Sequence, residues 1–241
     1  MHIFTLLLCA LCGEGQAEYT YLDRIALETG TDKSSDGHNY TEVYAHHFAP
    51  LRHQPIKLLE IGIASGASVK LWERYFPNAT LHFIDICPDV VQYYSPSSPR
   101  IQYHFLDQSN TEALRQFAAD VGESFDIIID DGGHHMNQQI ISFQTLFPHL
   151  KSGGLYIIED LHTSYWTSHG GNGTVSSPRA GQGTAVEFLK SLVEDLNYTG
   201  GITGYADWKK TPPEIFENLN DYQKNIAFVQ FYKSLCVIKK R

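Results

Sequence analysis

Between residues 57 and 160 short apolar runs alternate with stretches of helical period. The runs are KLLEIGI, TLHFIDI, IQYHFLD, FDIIIDD and GLYIIED, and the amphipathic stretches fall at 67–75, 111–119 and 137–147. Near-continuous apolar runs bounded by Gly, Pro and Asp and separated by helices predict strands buried on both faces. That is a doubly wound, mostly parallel α/β sheet. Two later β-rich pieces, AFVQFY and LCVIKK, are separated only by Lys233 and Ser234. They predict a C-terminal antiparallel hairpin and bring the sheet to seven strands.

The flanks follow other patterns. Ile3 to Cys12 is nearly all apolar and small residues lead up to Ala17, so residues 1–17 have the form of a leader. No Lys or Arg precedes the apolar stretch, which argues against export; the expected location is the cytoplasm, with export as the alternative. Tyr21–Glu28 and Thr41–Phe48 are expected to be short helices around a polar loop at Gly30–Asn39. Residues 18–55 are therefore read as a helical cap and 56–241 as the main domain. The Gly-, Ser- and Thr-rich stretch from Thr163 to Gly183 predicts a mobile loop, and Thr184–Leu196 a helix.

Composition removes several function classes. The chain has 27 acidic against 18 basic residues, a formal charge of −9, and no basic run before Lys239–Arg241. A nucleic-acid partner needs clustered cations, so none is expected. The apolar leader is too short to cross a membrane, and stable insertion is not expected either. Four cysteines do not make a disulfide framework in a chain of this length. Asn39, Asn78, Asn172 and Asn197 head Asn-x-Ser/Thr triplets that matter only in a glycosylating compartment.

The chemistry lies at the ends of the apolar runs, where open α/β sheets bind ligands. Nearly every run carries or ends in acid: Glu60, Asp85, Asp107, Asp130 with Asp131, and Glu159 with Asp160. The first turn, EIGIASGAS, sets Gly62 and Gly66 where backbone must approach a ligand and a helix must start at once. Asp85 follows at about twenty residues, the spacing at which an acid holds a ribose hydroxyl. Either a nicotinamide or an adenosyl cofactor would satisfy that pattern. The missing second glycine of the dinucleotide fingerprint favours S-adenosylmethionine, which has no pyrophosphate. DDGGHH at Asp130–His135 and the pair Glu159–Asp160 each follow a strand directly. Carboxylates on adjacent strands come within reach of one ion, and oxygen ligands without Cys select magnesium or another hard divalent cation. His134 is placed to act as general base.

These segments resemble the metal-dependent O-methyltransferases that modify sugars on natural products, of the mycinamicin and rhamnosyl-tetracenomycin type, within the class I methyltransferase superfamily. The matching stretches are GTDK at Gly30–Lys33, NYTEVY at Asn39–Tyr44, LLEIGIASGAS, FIDI, LDQS, FDIIIDDGGHH, LFPHLKSGGLYIIEDLHTSYW and GTAVEFLKSLVEDLN. The resemblance implies a Rossmann-like fold, a metal held by Asp131, Glu159 and Asp160, and His134 as the base. It also implies a cofactor bound along Glu60, Gly62, Gly66, Asp85, Asp107 and Gln108, with Tyr40 on its entrance side, and a hydroxyl-bearing small molecule as acceptor. The stretch from Tyr165 to Gly183 is a candidate lid. Gly133 stands where the family usually has serine, which makes the loop before His134 more pliable. The large N-terminal oligomerisation region of some members is not among the matching segments, so homo-oligomerisation is left open. Two other readings compete. A cofactor-binding protein without catalysis leaves the acids and the histidine unexplained, and an NAD-dependent oxidoreductase would use Asp85 but give Asp131, Glu159 and Asp160 no purpose.

Overall fold

A computed structural model describes residues 2–93, 98–122, 124–173 and 179–241, with nothing said of the side chains of 2–14 and 91–93. In chain order the elements are α1 (His2–Thr29), α2 (Tyr40–Phe48), β1 (Lys57–Ile61), α3 (Ala67–Tyr75), β2 (Thr80–Asp85) and β3 (Ile101–Phe105). There follow α4 (Thr111–Val121), β4 (Phe125–Asp130), α5 (Met136–Leu146) and β5 (Leu150–Ile158). The chain then runs through α6 (Ala185–Thr203), the short α7 (Pro213–Phe216) and α8 (Asp221–Asn225), β6 (Ile226–Tyr232) and β7 (Leu235–Lys240).

The strands form one seven-stranded sheet in the order β3-β2-β1-β4-β5-β7-β6. The first five are parallel; β7 runs antiparallel to both β5 and β6, as the hairpin pattern requires. Successive side chains of a strand point to opposite faces, and the two cores follow that parity. Leu58, Phe83, Ile127, Ile129 and Ile157 face a layer containing Leu22, Ile25, Tyr44, Phe48 and Trp72, from α1, α2 and α3. Leu59, Ile84, Ile128, Tyr156 and Ile158 face a second layer with Leu114, Phe143, Leu146 and Leu189, from α4, α5 and α6.

Three expectations change. The expected helix at Tyr21–Glu28 is the end of a single helix beginning at His2. α1 and α2 supply fully buried residues to a core, so they are a structural layer more than a cap. Within the stretch read as loop, Leu161–Tyr165 and Thr167–His169 form 3-10 turns, while residues 174–178 of the candidate lid lie outside the described residues. Sequence periodicity cannot register turns this short. Among the described residues no helix is long and apolar enough to cross a membrane. Of the four cysteines, Cys87 is free and exposed and Cys236 free and buried.

Candidate active site

The strand order reverses between β1 and β4, and the crevice beyond the carboxyl ends at such a point receives ligands in open α/β sheets. β1 leaves the sheet through Gly62, at φ 101°, where a Cβ would collide with the backbone carbonyl of Asp131. Only glycine lets the two strand ends come this close. Asp85, closing β2, pins the turn: its Oδ2 accepts from the Ile63 N–H at 2.9 Å and its Oδ1 from the Cys87 N–H at 2.9 Å. Gly66, at φ 76°, precedes α3, and its N–H donates to the Ile63 carbonyl at 2.7 Å.

Two clefts meet at Gly62, Ala64 and Asp131. The first, of about 310 Å³, is lined further by Asp85, Ile86, Leu106, Asp107 and Gln108. The second, of about 220 Å³, is lined by Thr31, Lys33, Ser65 and Ser68. Of the residues expected along the cofactor, Gly62, Asp85, Asp107 and Gln108 therefore come together, with Asp131 where the clefts meet, but the other three do not line either cleft. Gly66 shapes the turn without reaching it. Glu60 is fully buried beneath the turn because its parity on β1 points it at α3, where it accepts from the Ser68 hydroxyl at 2.8 Å. Tyr40 sits on the far side and donates its hydroxyl to Asp160 Oδ1 at 2.8 Å. Gln108 lines the first cleft, yet its amide is committed to the loop: Nε2 donates to Asp130 at 3.0 Å and Oε1 accepts from the Gly133 N–H at 2.8 Å. Ser142 of α5 also donates to the buried Asp130. Asp107 accepts from the Ser109 N–H and hydroxyl at 2.8 and 2.7 Å.

Beyond β4 and β5 the carboxylates divide into two groups that share Asp131. Asp131, His134 and Asp160 bring ligand atoms within 4.8 Å of one another, and so do Glu60, Asp131 and Glu159. In the first group His134 Nε2 lies 3.4 Å from Asp160 Oδ2 and 4.0 Å from Asp131 Oδ1. The loop is held by the Thr163 hydroxyl, within 3.0 Å of the His134 carbonyl and 2.8 Å of the Asp160 carbonyl. The expected set of Asp131, Glu159 and Asp160 is thus not gathered at one point. Glu159 shares its parity with Ile157 and faces the α2 layer, where Tyr44 and Lys33 donate to its carboxylate.

Lys33 was not singled out from the sequence, although it ends the GTDK segment. Its side chain is 1% exposed, and its ammonium donates to Asp131 and, at 3.0 Å, to Glu159, with Glu60 Oε1 at 3.7 Å. Asp23 of α1 fixes the loop that delivers it, accepting from the Ser35 N–H and hydroxyl and from Thr41. Burial alone would lower the Lys33 pKa, but Asp131, Glu159 and Glu60 outweigh it and hold the ammonium well above its usual value. The acids move the same way: burial raises Glu159 far above the carboxylate range and Glu60 to about 7, each against the pull of Lys33. Lys33→Met would leave the buried Glu60 and Glu159 and the partly exposed Asp131 without a counter-charge, and removing one partner of a buried ion pair costs about 3–5 kcal/mol. Thermal unfolding of the variant should show a loss of that size; a melting temperature unchanged from the parent would remove Lys33 from this role.

Among the described residues the non-glycine positions with positive φ are Asn39, Ala64, His134, Asp160 and Ser234. All five border this region. Asn39 precedes Tyr40, Ala64 lines both clefts, and the Ser234 carbonyl accepts from the Leu161 N–H at 2.9 Å. Such conformations cost about 1–3 kcal/mol each and persist where the surrounding structure enforces them, most often at functional sites.

The chain resembles known proteins over most of its length. Residues 59–161 match the model of a methyltransferase-domain family. The chain is 41% identical over 228 residues to an 8-demethyl-8-(2-methoxy-alpha-L-rhamnosyl)-tetracenomycin-C 3'-O-methyltransferase of Streptomyces olivaceus, covering 91% of this chain and 53% of that protein. It is 32% identical over 229 residues to the mycinamicin VI 2''-O-methyltransferase of Micromonospora griseorubida, covering 91% and 54%. A solved structure of the MycE methyltransferase of the mycinamycin pathway, in complex with Mg, SAH and mycinamycin VI, superposes with a TM-score of 0.76 at 29% identity, over 91% of this chain and 53% of that one. The chain spans about half the length of the curated relatives it matches.

Proposed function

We propose, from the premise that this chain carries a methyltransferase domain at residues 59–161 and resembles sugar O-methyltransferases, that it transfers a methyl group from S-adenosylmethionine to a hydroxyl of a small molecule, a sugar or glycosylated natural product. The observation that carries the reading is the pair of clefts meeting at Gly62 and Asp131, directly beside the carboxylate and histidine group. A two-lobed cofactor with its reactive sulfonium at the centre suits that shape. The nucleoside fits the cleft of Asp85, Asp107 and Gln108, and the methionine portion the cleft of Thr31, Ser65 and Ser68.

The residues present fit a hard divalent cation. Asp131 and Asp160 bring carboxylate oxygens within 4.8 Å of each other in a group that contains no Cys, and His134 Nδ1 is buried without a partner in the same loop. Asp131 and Asp160 would hold the ion from one side, with Glu159 joined to them through the Lys33 it shares with Asp131. Such an ion acidifies and orients a hydroxyl bound to it. Methyl transfer from a sulfonium is an in-line displacement, for which the chain must align three atoms. The acceptor oxygen forms its bond to the methyl carbon as the carbon–sulfur bond breaks and leaves its electron pair on sulfur. His134 takes the hydroxyl proton.

Calorimetry with S-adenosylmethionine and with NAD tests the cofactor. Binding of the first and not the second is expected. Asp85→Ala should weaken it by about 1–3 kcal/mol, since the variant removes an acceptor for the ribose and unpins the turn at Ile63. Unchanged affinity would take Asp85 out of the site. Product analysis by mass spectrometry with glycoside acceptors tests the transfer itself, and a cofactor that binds but is never turned over would leave a binding protein.

A further inference from the structure

Beside Asp160 lies a row of rings that the cofactor clefts and the cation group do not use. His162 Nδ1 and His38 Nε2 each lie 3.9 Å from Asp160 Oδ1. The His38 and His162 ring centroids are 6.1 Å apart. Trp166 meets His162 edge to face at 4.5 Å, His169 follows at 5.7 Å, and His135 lies 5.1 Å from His169. One imidazole therefore separates the Trp166 indole from the Asp160 carboxylate.

Trp166 is 49% exposed, an unfavourable state for so large an apolar side chain. It is nonetheless held in place. Its backbone N–H donates to the Thr163 carbonyl at 2.9 Å, its backbone carbonyl accepts from the Gly171 N–H at 2.9 Å and the His169 N–H at 3.1 Å, and two imidazoles pack against its ring. A fixed, half-open aromatic face next to a hydroxyl-activating centre has an obvious chemical complement. The electron-rich face of an indole attracts the weakly positive C–H groups on the apolar face of a pyranose, and the ring's hydroxyls then project sideways.

We propose that Trp166 is the platform on which the acceptor's sugar ring stacks, with His162 and His38 meeting its hydroxyls on the way to Asp131, His134 and Asp160. Trp166 would then determine which acceptors are taken, without touching the cofactor. The inference rests on the methyltransferase reading for the identity of the acceptor and not for the contact itself. The test uses methyl α-L-rhamnopyranoside as probe, with the protein in the presence of magnesium and S-adenosylhomocysteine. Saturation-transfer NMR should show strong transfer to the C–H protons of one face of the sugar. Trp166→Ala should weaken the probe's binding and raise its KM roughly 5- to 30-fold, with kcat and S-adenosylmethionine affinity within about threefold of the parent. Trp166→Phe, which keeps an aromatic face, should recover most of the loss.

Equal binding of the probe by the parent and Trp166→Ala would overturn the platform, as would a defect confined to kcat or a Trp166→Phe variant as impaired as Trp166→Ala. Probe binding that depends on Trp166 in a protein that never transfers a methyl group would keep the platform and overturn the transferase reading. The two failures are therefore distinguishable.

Discussion

Excess EDTA is expected to abolish methyl transfer while leaving S-adenosylmethionine binding within a few-fold, and magnesium added back should restore the rate. The expectation follows from the separation of functions in the site. Asp160 lines neither cleft; its contacts are Tyr40, at 2.8 Å, and the imidazoles of His38, His134 and His162. Asp160→Ala should therefore reproduce chelation, with turnover lost, cofactor affinity kept and magnesium no longer able to restore the rate. Glu159→Gln should behave differently. Its carboxylate accepts from Tyr44 and Lys33 in a fully buried setting, so thermal stability should fall together with cation affinity. Full activity in excess EDTA would remove the cation from the mechanism and leave a transferase that works by proximity alone.

Replacing His134 by Ala should slow turnover by roughly 10²–10⁴-fold, the usual range for loss of a general base, with cofactor and cation affinity retained. His134 sits at φ 55°, so part of any loss could come from the backbone. His134→Asn controls for this, because Asn tolerates the left-handed region better than most residues and cannot serve as the base. Equal losses in the two variants would assign the effect to chemistry. His135 is exposed at the start of α5, where its N–H donates to Gln138 Oε1 at 3.1 Å, and its ring packs beside His169. His135→Ala should stay within a few-fold of the parent in rate. A severe His135→Ala and a mild His134→Ala would reverse the assignment.

The Lys33 cluster ties these predictions together. One ammonium joins Asp131, which also belongs to the cation group, to Glu159 and Glu60, which lie deeper in the α1–α3 layer. It keeps the inner carboxylates compensated and leaves Asp131 shared between the two groups. This explains how three acids can converge on one sheet edge without mutual repulsion forcing the strand ends apart.

Much of the site was legible in the chain because it is local. Strand ends are visible where apolar runs stop, and the acids at those stops are read directly, so Asp85, Asp107, Asp131, Glu159 and Asp160 could be named. Gly62 could be named because a tight strand-to-helix turn demands glycine. Parity along the strands adds what that reading left out. Leu58 and Glu60 share a face of β1, as Ile129 and Asp131 do past β4 and Ile157 and Glu159 past β5, so all three acids point toward the α1–α3 layer.

What sequence reading could not supply is what waits on that face. Lys33 reaches Asp131 across 98 residues and Glu159 across 126, and no periodicity links positions so far apart. The same holds for Tyr40 on Asp160 and for Ser142 and Gln108 around Asp130. Trp166 is different: its contacts are local, to His162, Thr163, His169 and Gly171, and a Gly- and Ser-rich context disguised the stretch as loop. By itself the sequence determined the alternation of strands and helices, the hairpin and the acids at the carboxyl edge, because hydrophobic period and turn chemistry act over a few residues. Only the tertiary structure decided which acids face one another, which stay buried with a lysine and which remain open to a ligand. Those outcomes depend on long-range packing that brings a loop of the α1–α2 layer down onto the strand ends, and on the cost of burying charge without a partner.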